Sequence, residues 1–99
     1  MAARFEWNGA KAASNLRKHR VSFQTAVRAF ADPFALFEQD RIEGGECRWQ
    51  TVGLVDSHLL LMVAHPLRDD EDGTEIVRII SARRADPKER KRYEQNRPL

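Results

Sequence analysis

The sequence predicts an α+β domain: two N-terminal helices, a four-stranded antiparallel sheet and a C-terminal helix. Three observations carry that prediction. Phe23, Ala26, Val27 and Phe30 recur at i, i+3, i+4 and i+7, the spacing that puts all four on one helical face. From Phe34 the period changes to short runs rich in Val, Ile, Thr and Trp, bounded by Gly, Asp and Ser. Asp86-Pro87-Lys88-Glu89 then marks a helix start, with Asp as cap, Pro at the first helical position and Glu three residues after the cap. The 99 residues suffice for one core and one domain, and are too few for two.

Taken in order, Phe5-Glu6-Trp7 is a short extended segment. Asn8 caps a first helix in which Ala12, Leu16 and His19 fall at helical spacing, ending near Arg20. Ser22 caps the second helix, and Asp32-Pro33 stops it because the residue before proline avoids helical geometry. Phe34 to Glu38 reads as a first strand, followed by a polar loop from Asp40 to Glu46 with Gly44-Gly45 at its turn. Arg48 to Val55 is the second strand, Asp56-Ser57 a tight turn, and His58 to His65 the third strand. An acidic loop, Pro66 to Thr74, leads to a fourth strand from Glu75 to Arg83. The last two strands are apolar on both faces, as expected of central strands covered on both sides. The final helix runs to about Asn96 and is rich in Lys and Arg. Sequential strands joined by hairpins make a meander the simplest topology.

Composition excludes several function classes. The chain is 41% hydrophobic and 32% charged, a balance that argues for a folded globule and against disorder. No apolar run approaches the ~20 residues a membrane span requires. The first residues lack the pattern of a signal peptide, and Cys47 is the only cysteine, so a cytoplasmic protein without disulfides is expected. One thiol and three histidines (His19, His58, His65) away from ligand spacing predict neither a metal site nor a cofactor. The formal net charge is only +2, but its distribution is uneven. Residues 1–30 carry a balance of +5, residues 31–77 of −8, and residues 78–99 of +5. If the two basic ends fold together they make a face suited to phosphate, and the acidic middle suits a basic partner; the alternative is a set of solvated helix faces.

No nucleophile elbow, phosphate-binding glycine loop or zinc-protease motif is present. What remains is a set of Arg, His, Lys and Tyr near the ends of strands and helices. RNA brings its own nucleophile, the 2′-hydroxyl, so such a set can cleave it given a base, an acid and cations for the phosphorane. His65 ends the third strand and is either a general base or acid, or a hydrogen-bonded strand-end histidine. Arg68 follows in the loop. Arg78 sits between Val77 and Ile79, where a charge must be paired or must line a groove. Arg83 and Arg84 point to opposite faces, and Arg83, sharing a face with Ser81, is preferred for the open one. Lys18 and His19 end the first helix, where cations also favour the helix dipole. Tyr93 can stack on a base or pack its helix down, and Trp7 and Trp49 read as core.

These segments, in their order, resemble the BrnT family of ribonuclease toxins. Phe5-Glu6-Trp7-Asn8 stands where that family has F-E-W-D, and Lys18-His19-Arg20-Val21-Ser22-Phe23 is similar to its K-H-G-V-S-F. Phe30-Ala31-Asp32-Pro33 matches F-x-D-P, and Gly45-Glu46-x-Arg48 with Val52-Gly53 matches G-E-x-R and I-G. Ile79-Ile80-Ser81-Ala82-Arg83-Arg84-Ala85, Glu89-Arg90 and Tyr93-Glu94 match the C-terminal pieces. The resemblance implies a RelE-like fold, with helices packed on one face of the sheet and RNA bound on the open face. It implies metal-independent cleavage that inhibits translation and growth, and neutralisation by a BrnA-like antitoxin. That partner carries a ribbon-helix-helix DNA-binding domain, so operator DNA is reached only through it. By position, Arg83 becomes the expected catalytic residue with His65, Arg68 and Tyr93 beside it. Lys18, His19, Arg48, Arg78 and Arg84 become the expected RNA contacts.

Departures from the pattern are local. Arg20 replaces a glycine at a helix-to-helix turn, Asn8 replaces Asp, and Gln24-Thr25 replaces an acidic pair. The acids at Asp69, Asp70, Glu71 and Asp72 lie beside Arg68, where they either repel RNA or receive a basic antitoxin segment. Two alternatives stand beside the ribonuclease: a non-catalytic module that binds nucleic acid or its partner, and a pure interaction protein.

Overall fold

The structure, a computed structural model, describes residues 3–69 and 72–96. In chain order it has β1 (Ala3–Glu6), α1 (Gly9–His19), α2 (Phe23–Ala29), β2 (Leu36–Glu43) and β3 (Glu46–Val55). β4 (Leu59–Asp69), β5 (Glu75–Arg78), β6 (Ser81–Arg84) and α3 (Pro87–Asn96) follow. The sheet order is β1-β5-β4-β3-β2, with β6 pairing β4 beside β5. The expected strands are antiparallel to their neighbours, while β1 pairs β5 in parallel.

Local chemistry explains the helix ends. Asn8 Oδ1 accepts from the Lys11 N–H at 3.1 Å, and Ser22 Oγ accepts from the Thr25 N–H at 3.1 Å. At α3 the reciprocal capping box forms: Asp86 Oδ1 accepts from the Glu89 N–H at 2.8 Å, and Glu89 Oε1 from the Asp86 N–H at 2.9 Å. Arg20 takes the left-handed conformation (φ 61) that a glycine would adopt more readily.

Four expectations are revised. The extended segment at Phe5 is a strand, because its register with Val77 extends the sheet by one more strand. The polar loop at 40–46 is mostly strand: Gly44 and Gly45, at φ 59 and 77, close a two-residue hairpin, and Asp40 is a bulge. β4 runs on through Pro66 to Asp69. The fourth strand is divided, because Pro66 has no N–H to give. There the three residues Arg78, Ile79 and Ile80 stand against His65 and Pro66. Ile79 N–H turns to Glu6 O, and Ile80 N–H returns to Ala64 O, each at 2.9 Å. In α1 the buried residue is Asn15, while Leu16 is 50% exposed.

Two apolar clusters lie on the two faces of the sheet. α1 and α2 cover one face, where Phe23, Ala26 and Ala29 pack on Val55, Leu61, Val63 and Ala82. Tyr93 of α3 covers one end of the other, on Val52, Leu60 and Met62. Gly53 permits the close approach of α2, since a Cβ there would stand 2.2 Å from the Ala29 carbonyl oxygen.

Candidate nucleic-acid interface

Residues opposite one another in neighbouring strands share a face. The registers therefore lay out the face opposite α1 and α2 as rows. Leu36, Val52, Met62 and Arg83 form the row that α3 overlies. Glu38, Gln50, Ala64 and Ser81 form the next, and Arg41, Arg48 and Pro66 the one beyond. The middle of this face, floored by Gln50 and Ala64, is thus ringed by arginines.

Three guanidinium groups on this face, those of Arg78, Arg83 and Arg92, are held in place by carboxylates. Arg83 donates to both oxygens of Glu89 at 2.8 Å and from Nη1 to Arg84 O at 3.1 Å. Of its five N–H groups, Nε–H and one Nη2–H are left for a ligand. The Glu89 carboxylate also pushes the Arg83 pKa up, keeping the cation charged. Arg92 of α3 donates to Glu38 at 3.3 Å, and Gln50 Nε2 donates to the same oxygen at 3.2 Å. Arg78 lies 3.6 Å from Glu46. The pairs are part-exposed, so each anchors an arginine without removing it from the surface.

The four expected catalytic residues are not brought together. Arg83 lies on this face as expected. His65 lies on the opposite face, with Leu61 and Val63, and is 0% exposed. Its Nε2 and Thr51 Oγ1 share a hydrogen bond of 2.9 Å, and its ring packs against Phe30 and Phe37 at 5.0 and 5.7 Å. Burial pushes its pKa down to about 4, outweighing a raising effect of the Pro66 backbone. The imidazole is neutral at pH 7 and has no surface to offer a substrate in this structure, the arrangement of a hydrogen-bonded strand-end histidine. Tyr93 is 3% exposed, and its hydroxyl donates to Asp32 Oδ2 at 2.5 Å. It fastens α3 rather than stacking on a base. Arg68 pairs with Ile76 in β4, not in a loop, and its side chain falls outside the described part, as do Asp70 and Glu71.

Of the expected RNA contacts, Arg48 and Arg78 share the open face, and Arg84 is exposed on the helix-covered side of β6. Lys18 and His19 line a groove at the sheet edge with Lys11, Ser14, Asn15, Ile80 and Ser81. Arg78 lines an adjoining groove with Asn8, Lys11, Ile79 and Ile80. The two basic ends of the chain therefore meet. A larger cavity lies elsewhere, around Pro33, Leu54 and Tyr93, and its Arg28 and Asp56 neutralise each other in an ion pair.

Two residues organise this region in roles that the sequence did not assign them. Asp32, read as a helix stop and as part of F-x-D-P, accepts from Tyr93, from Leu54 N–H at 2.8 Å and from Phe34 N–H at 2.9 Å. Asn15 donates to Val21 O and Ala82 O at 2.9 Å and accepts from Ala82 N–H at 3.1 Å. It thereby satisfies the outer edge of β6. Its signal was a polar residue between Ala12 and His19 on the helical face expected to be buried.

Comparison with known proteins bears on family and fold. The profile of a family described as "Ribonuclease toxin, BrnT, of type II toxin-antitoxin system" matches residues 7–89. The crystal structure of the ribonuclease toxin BrnT from Brucella abortus superposes with a TM-score of 0.65 at 18% identity, over 86% of this chain and 99% of that one. Among curated proteins, none matches the sequence. With the family profile covering most of the chain, and the same fold in a solved relative, the protein belongs to the BrnT family of type II ribonuclease toxins.

Proposed function

We propose that the protein cleaves RNA on the open face of its sheet without a metal ion: a 2′-hydroxyl attacks the adjacent phosphate, the P–O5′ bond breaks to leave a 2′,3′-cyclic phosphate, and the departing 5′-oxygen takes a proton from solvent. The observation that carries this reading is the arginine ring around Gln50 and Ala64, each cation oriented by strand register or by a carboxylate. Arg83 provides N–H donors for the charge that develops on the phosphorane, a role pre-oriented hydrogen-bond donors fill with little reorganisation. Arg48, Arg78 and Arg92 hold flanking phosphates. Glu38 and Glu46, on the same face, are the carboxylates placed to accept the 2′ proton. The fold is of RelE-like type. Cleavage of cellular RNA halts translation and growth until a BrnA-like antitoxin binds, and its ribbon-helix-helix domain brings the pair to operator DNA.

Expression of the chain alone and with its partner tests the cellular part: growth arrest relieved by the partner is expected. Unimpaired growth in both cultures, with folded protein present, would favour a module without catalytic activity. In vitro, the expected result is discrete cleavage of end-labelled RNA in excess EDTA.

A further inference from the structure

We propose a second phosphate-binding site, separate from the arginine ring, in the groove between α1 and the β5–β6 edge. It rests on the ribonuclease reading above and deepens it, since the ligand is the phosphate backbone of the same RNA strand beyond the cleavage point.

The site is built on Asn15. Its side chain is 6% exposed and bonded to both the N–H and the C=O of Ala82, so this turn of α1 is clamped to β6. Helical spacing places Lys11 one turn before Asn15 and Lys18 one turn after it on the same face. Both lysines consequently overhang the strand edge, on either side of the clamp and about 10.5 Å apart along the axis. Lys11 lies with Arg78 over Ile79 and Ile80, and Lys18 lies with His19 over Ile80 and Ser81.

The charge balance here differs from that of the open face. There Arg78, Arg83 and Arg92 each stand beside a carboxylate. The two grooves are lined by Lys11, Lys18 and His19, with the Glu46-paired Arg78 at one end, and no acid among the described residues lines them. Among the described residues, neither lysine has an ion-pair partner. Ser14 and Ser81 add hydroxyl donors. A concave surface that holds two lysines without counter-charge attracts anions from solution. Arg78 and Ser81 belong to the open face and to the groove alike, so one strand can pass from ring to groove without leaving basic surface.

The test is the salt dependence of binding to a 2′-O-methyl RNA, which the proposed chemistry cannot cut, followed by fluorescence anisotropy. Each phosphate contact on a single strand adds about 0.7 to the log–log salt slope. Lys11→Gln with Lys18→Gln should lower the slope by about 1.4, equivalent to about 25-fold weaker binding at about 0.1 M salt. Arg17→Gln removes an exposed cation of the same helix outside the groove and serves as the control. A double variant indistinguishable from Arg17→Gln in slope and affinity overturns the site, while the wild type still binds and cuts unmodified RNA. A wild type that neither binds nor cuts RNA overturns the ribonuclease reading, and the groove site with it.

Discussion

His65 is neutral in the folded protein because its ring is surrounded by Phe30, Phe37 and Thr51 and cut off from water. Its pKa is pushed down to about 4, whereas in the unfolded chain it returns to about 6.5. Between these values the unfolded state binds more protons. Stability is therefore fully present above about pH 6.5 and is lost as pH falls toward 4, by about 3 kcal/mol. Urea denaturation from pH 7 to pH 4.5 should show this loss, and His65→Gln, which cannot titrate, should flatten the dependence relative to wild type. An unchanged slope in the variant would mean that another group causes it. Gly53 is a second residue-scale constraint. Gly53→Ala would press a methyl group into the Ala29 carbonyl, and a loss of about 2–3 kcal/mol is expected in the same denaturation assay. A variant as stable as wild type would show that α2 can withdraw freely. The sequence singled out both residues, His65 by its chemistry and Gly53 by its motif. It did not reveal the role of either, because burial depends on what distant segments bring alongside.

Helix termini and turns were legible because their signals are local. Asn8, Ser22 and the Asp86–Glu89 pair cap the helices as read, and the Arg20 turn takes the positive φ that its place between two helices demanded. Arg20→Gly should relieve that conformation and raise stability by about 1 kcal/mol, or about 4–8 °C in Tm for a domain of this size. No gain would mean that Arg20 makes compensating contacts. The break between β5 and β6 was less legible, although Pro66 carried its signal: a proline inside β4 leaves one ladder position without a donor. Pairing across 67 residues between Asn15 and Ala82 had no local signal at all. Tyr93→Phe should loosen α3, because Asp32 loses a donor to its carboxylate; about 1.5–3 kcal/mol is expected. Thermal melting checks this, and a change below measurement error would mean that packing alone holds the helix.

At the scale of the whole molecule, the layer architecture and the charge segregation were legible together. Two basic ends separated by an acidic middle predict a shared basic face only if the fold closes the chain on itself. It does so through β1 beside β5 and α1 beside β6. The face that Arg83 occupies was legible from alternation along one strand, whereas the face of His65 required knowing which side α1 and α2 would cover. On the proposed mechanism, catalysis belongs to the open face and not to the buried histidine. The most direct measurement compares cleavage of end-labelled RNA in EDTA by wild type, Arg83→Ala and His65→Gln, each confirmed as folded by circular dichroism. Arg83→Ala is expected to lose at least about 100-fold in rate, as when a transition-state donor is removed, while His65→Gln still cuts. Full activity in Arg83→Ala with loss in folded His65→Gln would contradict that mechanism.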